Sequence, residues 1–371
     1  MAESLYIHIP FCNRICTYCD FNKVLINNQP VDGYLDALIS ELRDIEPQSL
    51  RTIFVGGGTP TALSESQLSR LLAAVTDRFQ VTEEFTFEAN PDELTPGKLD
   101  VLKNYGVNRI SLGVQTFNED LLNVLGRSHG YNDIFNAINH MEKIGLNNYS
   151  LDLMYNLPGE TMQDLDDSLK HIRTLSPKHI SWYSLIIEPH TVFYNQIRKG
   201  RMKVDDDDVE ARKYQRVING LSELGYPQYE ISNFSQPAFE SEHNKTYWKN
   251  EPYYGAGAGS HGYIDNTRYY NIKPINHYIQ SMEETGSVVK ETLALDQKAQ
   301  MEEEMFLGLR MNRGVDTARF EEKFGRSMDE VYGTVINQEI SKGHIEASKS
   351  RVALTEKGRM VGNTVFMEFL L

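Results

Sequence analysis

Three cysteines, Cys12, Cys16 and Cys19, are the only cysteines among the 371 residues, and all lie in one short loop. Because three is an odd number, they cannot form a complete set of disulfides. Clustered thiols are typical of metal ligands, and a cubane iron–sulfur cluster normally takes four thiolates. A cluster held by three would leave one iron open to a ligand from outside the protein. Two alternatives stay open, namely zinc with His8 as a fourth ligand and inert thiols.

Composition and charge limit the function classes. The formal net charge is −15 and the pI is about 5.2, which argues against wrapping a nucleic acid, since that affinity comes mainly from Lys and Arg on phosphates. The sequence has no apolar stretch near the roughly 20 residues of a membrane helix, and we expect no secretory leader. Clustered, unpaired cysteines then predict a reducing, cytoplasmic location.

The first half of the sequence predicts an alternation of strands and helices. Strands are predicted over residues 5–9, 52–55, 84–89, 109–114, 148–154 and 179–185. Helical periodicity lies between them, over residues 34–45, 68–79, 96–104, 134–144 and 162–175, the second of these introduced by a capping-box pattern at residues 64–67. Six such units predict an α/β fold, a partial (β/α)6 barrel of the TIM type with parallel strands.

The remainder predicts two further regions. Residues 1–230 are assigned to the barrel, 231–296 to a connecting region, and 297–371 to a small, mainly helical, winged-helix-like C-terminal domain. Its helices are predicted over residues 302–309, 319–324 and 328–342, with a two-stranded wing within 345–354. The acidic residues of this domain argue against a DNA-binding role for the wing.

Unusual residues fall at the carboxyl ends of the predicted strands, where a barrel of this type places its active site. The first four strands are followed or ended by the cysteine loop, the run Gly56-Gly57-Gly58-Thr59-Pro60, Glu88 and Gln115, and Asp152 interrupts the apolar fifth strand. Glycines let the backbone approach a ligand closely, and a buried carboxylate needs hydrogen-bond donors or a cation. A purely structural role for each carboxylate stays open. The glycine run does not match a nucleotide phosphate loop.

These motifs resemble a known superfamily. The spacing Cys12-x3-Cys16-x2-Cys19, with an aromatic residue before the last cysteine, resembles the signature of the radical S-adenosylmethionine (SAM) superfamily, and residues 56–60 resemble its methionine-binding stretch. More narrowly, the segments YIHIPFC, GGGTPT, LGVQTF and LPG resemble the oxygen-independent coproporphyrinogen III dehydrogenase family over essentially the whole chain.

The resemblance implies a set of cofactors and ligands. Cys12, Cys16 and Cys19 would hold a [4Fe-4S] cluster whose fourth iron is chelated by SAM. Reduction of such a complex can release a deoxyadenosyl radical. The residues implied to contact SAM are Gly57, Gly58 and Thr59 at the methionine moiety, and Tyr6, Glu88, Gln115, Arg127 and Asp152 around the sulfonium or adenosyl part.

Two features indicate which branch of the family the chain resembles. Dehydrogenases carry a cysteine two places after the third ligand, where this chain has Phe21. By contrast, His243-Asn244-Lys245-Thr246-Tyr247-Trp248 resembles the His-Asn-x-x-Tyr-Trp motif of the haem chaperone branch. His243 is then the first candidate haem ligand and His261, in a glycine-rich setting, the second. A hydrogen-bonded structural histidine is the alternative for His243.

Three functions follow as hypotheses. The leading one is a haem chaperone that binds the cluster, SAM and haem, and passes haem to apo-haemoproteins. The alternative is an enzyme, a radical oxidoreductase that acts on coproporphyrinogen III, and the third is a zinc-stabilised binding module. A homodimer that shields the open iron is a further hypothesis.

Overall fold

Strands and helices alternate through the first half of the chain. This computed structural model describes residues 2–46 and 48–371. The elements up to residue 184 are β1 (Ser4–Ile9), β2 (Phe11–Cys12), β3 (Val24–Leu25), α1 (Val31–Asp44), β4 (Gln48–Gly57), α2 (Glu65–Arg78), β5 (Phe79–Ala89), α3 (Pro96–Asn104), β6 (Arg109–Gln115), α4 (Glu119–Leu125), α5 (Tyr131–Lys143), β7 (Tyr149–Tyr155), α6 (Met162–Leu175) and β8 (His179–Ser184).

A more irregular region follows. Its elements are α7 (Val192–Arg198), α8 (Asp207–Glu223), β9 (Gln228–Glu230), β10 (Asn233–Ser235), α9 (Glu242–Trp248), β11 (Tyr254–Ala256), β12 (His261–Ile264), β13 (Thr267–Asn271), α10 (Ile275–Thr285) and β14 (Val289–Ala294). The motif that resembles the haem chaperone branch lies on α9, a helix that the sequence did not predict.

The main sheet has nine strands in the order β11-β1-β4-β5-β6-β7-β8-β10-β9. The six predicted strands form its centre and are parallel, from β1 to β8. The sequence did not predict the three short strands at its edges, of which β11 is parallel to β1 and β10 antiparallel to β8. In the part of the chain that is described, β11 and β9 do not pair, so the barrel is open. The predicted partial barrel is confirmed.

Local signals in the sequence explain the helices of the barrel. The Ser64 hydroxyl accepts a hydrogen bond from the Gln67 N–H at 3.3 Å, and the Gln67 side chain accepts one from the Ser64 N–H at 3.0 Å, so the predicted capping box is present. Helix α2 then buries Leu68, Leu71 and Leu72 against the sheet. Burial of each such side chain contributes roughly 1.5–3 kcal/mol, and these contacts fix the outer layer of the barrel.

Strand β14 has an unusual environment. It forms the edge of a three-stranded antiparallel sheet with β12 and β13. All six of its side chains are exposed, on both faces of the strand. Within the described residues it pairs only with β13, which leaves one row of its backbone N–H and C=O groups unpaired.

The C-terminal part of the chain has its own apolar cluster, which extends from Met301 to Phe369. Its elements are α11 (Gln297–Gly308), β15 (Val315–Asp316), α12 (Thr317–Phe324), α13 (Met328–Lys342), β16 (Ile345–Ala347), β17 (Arg351–Leu354), α14 (Glu356–Met360) and α15 (Gly362–Met367). The three predicted helices and the two-stranded wing are present, and β15 adds a third strand to the wing.

The C-terminal domain contacts the barrel at strand β9. The Asn312 N–H donates to the Tyr229 carbonyl at 2.9 Å. The Arg310 guanidinium lies 3.7 Å from the fully buried Glu230 carboxylate and 4.4 Å from the centre of the Trp248 ring. Helix α9 therefore ends at the contact between the two parts. None of the described helices is both long and apolar enough to cross a membrane.

Candidate functional site

A cavity of about 590 Å³ opens at the carboxyl ends of the barrel strands, a size typical of ligand sites. It is lined by every residue for which the sequence predicted a cluster, SAM or first-choice haem contact. These residues are Tyr6, Cys12, Cys16, Cys19, Gly57, Gly58, Thr59, Glu88, Gln115, Arg127, Asp152 and His243. The prediction that site residues lie at the carboxyl ends of the strands therefore identified the cavity.

The cysteine loop is tied to the rest of the barrel by its backbone. Strands β2 and β3 pair at its two ends. At its centre the Thr17 N–H donates to the Leu125 carbonyl at 3.0 Å, and the Thr17 carbonyl accepts from the Phe193 N–H at 3.1 Å. Helices α4 and α7 thus hold the loop from outside.

Polar neighbours reach two of the three sulfurs. The Arg127 guanidinium lies 3.4 Å from the Cys16 Sγ, and the Thr59 hydroxyl lies 3.6 Å from the Cys12 Sγ. Burial raises the pKa of the Cys12 thiol to about 11, opposed in part by Thr59. Burial also raises the pKa of Cys19, which Lys23 opposes. These two thiols are therefore protonated at neutral pH, and iron must displace their protons when it binds.

His8 is poorly placed to complete a zinc site. Its Nε2 lies 2.8 Å from the Asn22 carbonyl oxygen and its Nδ1 lies 3.0 Å from the Tyr6 hydroxyl, so both ring nitrogens are in hydrogen bonds. Among the described residues, no three His, Cys, Asp or Glu side chains converge as ligands of one ion. Each thiolate on a cubane binds a different iron, so cluster ligands stand farther apart than the ligands of one ion. The three thiols around one cavity fit a cluster better than zinc.

The glycine run lies too close to β1 and to the cysteine loop to carry side chains. Gly57 has φ of +118°, and a Cβ there would lie 2.5 Å from the His8 ring. At Gly58 a Cβ would lie 2.7 Å from the Phe11 carbonyl oxygen and 3.0 Å from the Cys12 Sγ. A side chain at Gly57 would push the run away from His8 on β1, and one at Gly58 would push it away from the cysteine loop, so both glycines are needed to form this wall of the cavity.

Two half-buried carboxylates face the cavity, Glu88 from β5 and Asp152 from β7, with β6 between the two strands. Burial raises the pKa of Glu88 to about 7, against a hydrogen bond at 3.0 Å from the Gly57 N–H, and the charge of Asp152 raises it further. Burial also raises the pKa of Asp152, which accepts hydrogen bonds from Ser111 at 2.7 Å and Ser150 at 3.0 Å. Neither carboxylate forms a salt bridge within the described residues. A cationic ligand would supply the missing charge, as the ammonium and sulfonium groups of SAM would.

Strand β6, which lies between β5 and β7, has a constrained backbone at its carboxyl end. Gln115 ends β6 with φ of +66°, next to a register shift between Gly113 and Gln115. The Arg127 guanidinium donates to the Asn90 side chain at 2.7 Å and to the Gly113 carbonyl at 2.6 Å. The sequence analysis did not identify Asn90 or Ser111 as site residues. Asn90 directly follows β5, so its position at the carboxyl end of a strand could have indicated it.

His243 is fully buried and has both ring nitrogens in hydrogen bonds. Its Nδ1 lies 2.8 Å from the Thr52 hydroxyl, and its Nε2 lies 2.8 Å from the Tyr247 hydroxyl. Burial, with the charge of Arg51, lowers its pKa to about 3, so the ring is neutral. Coordination of haem iron would therefore require one ring nitrogen to leave its partner, Nε2 from Tyr247 or Nδ1 from Thr52.

His261, the second candidate ligand, lies outside the cavity lining and packs edge-on against Tyr270. The glycines around it approach the chain itself. A Cβ at Gly257 would lie 2.5 Å from the His8 carbonyl oxygen, and one at Gly259 would lie 2.6 Å from the Asn22 side chain. This close approach to β1 and the cysteine loop explains the glycine-rich segment without a ligand.

Comparison with known proteins agrees with this geometry. Residues 6–172 match the model of the Radical SAM superfamily, and residues 295–361 match the HemN C-terminal domain. The chain is 48% identical over 375 residues to the heme chaperone HemW of Bacillus subtilis, covering 99% of both chains. It is 45% identical to the heme chaperone HemW of Lactococcus lactis, covering 100% of this chain and 97% of that one.

A solved structure is also similar over the full length. Coproporphyrinogen III oxidase (HemN) from Escherichia coli, described as a radical SAM enzyme, matches with a TM-score of 0.86 and 25% identity, covering 100% of this chain and 90% of that one. Sequence thus relates the chain to the chaperones more closely than to the oxidase. The chain belongs to the HemW family of the radical SAM superfamily.

Proposed function

We propose that the protein is a haem chaperone that holds a [4Fe-4S] cluster and SAM in the cavity, binds haem and passes it to apo-haemoproteins. The observation that carries this proposal is the likeness, over essentially the full length of both chains, to proteins named heme chaperones at up to 48% identity. The proposal is also supported by Phe21, because oxygen-independent coproporphyrinogen III dehydrogenases carry a cysteine at this position.

The cavity supports the cofactor part of the proposal. Cys12, Cys16 and Cys19 supply three thiolates, and the glycine run supplies a wall without side chains next to them. Glu88 and Asp152 supply negative charge at the cavity wall for a cationic ligand. The bound cofactors would supply redox and radical chemistry, while the chain places SAM beside the loop and keeps water from the inner wall.

A second candidate function is coproporphyrinogen III oxidation, favoured by the TM-score of 0.86 with the oxidase. A paired assay on anaerobically reconstituted protein distinguishes the two functions. The chaperone should shift the Soret band of added haem and transfer haem to an apo-haemoprotein, and it should leave coproporphyrinogen III unchanged with SAM and a reductant. Consumption of coproporphyrinogen III without haem binding would reverse the assignment.

The haem-ligand role of His243 stays a prediction. His243→Ala tests it by the position and intensity of the Soret band, and Tyr247→Phe provides the matched variant. If His243 binds the iron through Nε2, Tyr247→Phe should strengthen haem binding, because Nε2 then has no hydrogen bond to give up. An unchanged Soret band in both variants would leave His243 with a structural role.

The remaining proposals concern partners and location. Haem and recipient haemoproteins are the proposed partners, and the net charge of −15 argues against nucleic acid. Three free cysteines in one loop favour the cytoplasm, where thiols stay reduced. The homodimer stays a prediction, and the elution volumes of the cluster-free and cluster-loaded forms test it.

A further inference from the structure

The first turn of α9 is held from two sides. The buried Glu84 carboxylate on β5 accepts hydrogen bonds from the Glu242 N–H at 2.9 Å and the His243 N–H at 3.3 Å, and from the Ser241 hydroxyl at 3.1 Å. On the other side, the Ser241 N–H donates to the Tyr229 hydroxyl at 3.2 Å. These bonds satisfy backbone donors that a helix leaves free at its start. They therefore fix the helix that carries the motif of the haem chaperone branch.

The Tyr229 hydroxyl ends a chain of hydrogen bonds that begins at Asp152 in the cavity. The Ser150 Oγ lies 3.0 Å from the Asp152 Oδ1 and 2.9 Å from the His179 Nδ1. The His179 Nε2 lies 2.8 Å from the Tyr229 hydroxyl. The Ser181 hydroxyl is farther from Ser150, at 3.4 Å. Since Ser150 and His179 are direct partners in the pairing of β7 with β8, the chain runs along the inner face of the sheet from a predicted SAM contact to α9.

The His179 ring gives this chain its direction. Burial, with the charge of Arg109, lowers the pKa of His179 well below its usual value, so the ring is neutral and only one nitrogen carries a proton. With the proton on Nδ1, the Tyr229 hydroxyl donates to Nε2, Nδ1 donates to Ser150, and the Ser150 hydroxyl donates to Asp152. With the proton on Nε2, the Tyr229 hydroxyl accepts from both sides, and its own proton has no acceptor among the described residues. A buried donor without a partner destabilises that second arrangement.

The charge on Asp152 selects between the two tautomers of His179. An ionised carboxylate only accepts hydrogen bonds, so it favours donation by Ser150 and a proton on Nδ1. A protonated carboxyl donates to the Ser150 oxygen and permits the opposite direction. Glu88, Arg109 and Tyr183 also face Asp152, and burial keeps the Tyr183 hydroxyl neutral. A cationic ligand beside Asp152 adds to the effect of Arg109 and favours the ionised form.

We infer that Ser150, His179 and Tyr229 couple SAM bound at Asp152 to the start of α9, with His179 as the positioning residue. This inference rests on the proposed function, which has SAM in the cavity. Bound SAM holds the His179 proton on Nδ1, completes the hydrogen bonds of Tyr229 and so secures the Ser241 N–H. A helix that is already fixed loses less conformational entropy when haem binds, so SAM and haem strengthen each other's binding.

Amide hydrogen exchange of the full-length, cluster-loaded chain, followed by mass spectrometry, tests the inference. SAM should slow exchange over residues 241–244 about tenfold. Tyr229→Phe removes only the hydroxyl and should abolish this slowing, while calorimetry shows that SAM still binds. Tyr226→Phe is the matched control, because it removes another buried hydroxyl, which donates to the Pro177 carbonyl at 2.8 Å and lies outside the chain. It should retain the slowing.

The tautomer of His179 supplies a signature that a purely structural role would not change. In a chain with isotope-labelled histidine, SAM should move the ring-nitrogen resonances of His179 to those of the form protonated at Nδ1. His179→Gln assigns these resonances by their loss. The same variant breaks the chain at its centre and should also lose the slowing of exchange. An unchanged His179 tautomer with SAM bound would contradict the inference.

The remaining outcomes separate this inference from the proposed function. If SAM binds but does not slow exchange, or slows it equally in Tyr229→Phe, the inference is overturned and the proposed function stands. Loss of the slowing in both tyrosine variants assigns it to overall stability and also overturns the inference. SAM should raise the haem affinity of the unaltered chain about fivefold, and an unchanged affinity overturns the link to haem. If the unaltered, cluster-loaded chain binds no SAM, the proposed function itself fails.

Discussion

Cys12, Cys16 and Cys19 differ in exposure, since Cys12 is buried and the other two are half-buried. All three nevertheless face the same cavity, and the chain has no other cysteine. Cys16 has the Arg127 guanidinium 3.4 Å from its sulfur. The Arg127 side chain therefore lies beside a sulfur that would bind the cluster.

Replacement of Cys16 by Ala should remove the cluster. We expect iron and acid-labile sulfide to fall from about four of each per chain to near zero after anaerobic reconstitution. Asn13→Ser, an exposed change in the same loop, is the control and should keep the brown colour. Full iron content in Cys16→Ala would contradict the assignment of the loop.

Glu88 should make SAM binding depend on pH. Its pKa is about 7, raised by burial and by Asp152, and the other titratable groups nearby are the Tyr6 and Tyr247 hydroxyls, which burial keeps neutral. A cationic ligand favours the ionised carboxyl, so binding should weaken as pH falls below about 7, approaching tenfold per pH unit. Calorimetric titration from pH 5.5 to 8.5 measures this, and Glu88→Gln should flatten the curve. An equally steep curve in Glu88→Gln would assign the proton elsewhere.

The same carboxyl affects the stability of the ligand-free protein with the opposite sign. The folded chain holds a proton on Glu88 up to about pH 7, whereas an ordinary Glu releases it near 4.5. The contribution of Glu88 to the free energy of unfolding is therefore fully present below about pH 4.5 and declines as pH rises through 7.

The glycine run that ends β4 can be tested against a glycine with similar strain but no neighbours. Gly57→Ala would place a Cβ 2.5 Å from the His8 ring at φ of +118°, while Gly106→Ala has φ of +83° and nothing within 4 Å. Both should lose about 1 kcal/mol of unfolding free energy from backbone strain. Only Gly57→Ala should also lose SAM binding, because its Cβ would displace the glycine run from the His8 ring on β1. Denaturant titration and SAM titration of both variants check this.

The sequence predicted the regular elements well because local signals control them. Helices α3 and α6 occupy the predicted residues, since Pro96 and the Thr161 cap mark their first turns. Strands β9, β10 and β11 have three residues each, too few for a hydrophobic period to appear. The sequence could not predict the hydrogen-bond partners of the site residues either. His243 and Thr52 are 191 residues apart in the chain, and only the folded barrel places them 2.8 Å apart.

At the scale of the whole molecule, Arg310 joins the C-terminal domain to the barrel. It pairs with buried Glu230 and covers the Trp248 ring. Arg310→Ala should lower the free energy of unfolding by about 3 kcal/mol, because Glu230 is left buried without a cation. In a Trp182→Phe background, Trp248 fluorescence should shift to the red as water reaches the ring.

Arg313→Ala provides the matched control for this contact. Arg313 is exposed and lies three residues away on the same connection, so its removal should change stability by less than about 0.5 kcal/mol. Equal stability losses in the two variants would mean that the contact with Glu230 and Trp248 does not hold the domains together.

Strand β14 has a consequence for how the protein is handled. Its uncovered row of backbone groups offers a template on which another extended chain can add, while the net charge of −15 keeps neighbouring molecules apart. Ions shorten the range of that repulsion, to about 8 Å at 0.15 M. Concentrated, salty preparations should therefore precipitate more readily than dilute ones in weak buffer, and a second lysine or a proline on this strand should improve solubility.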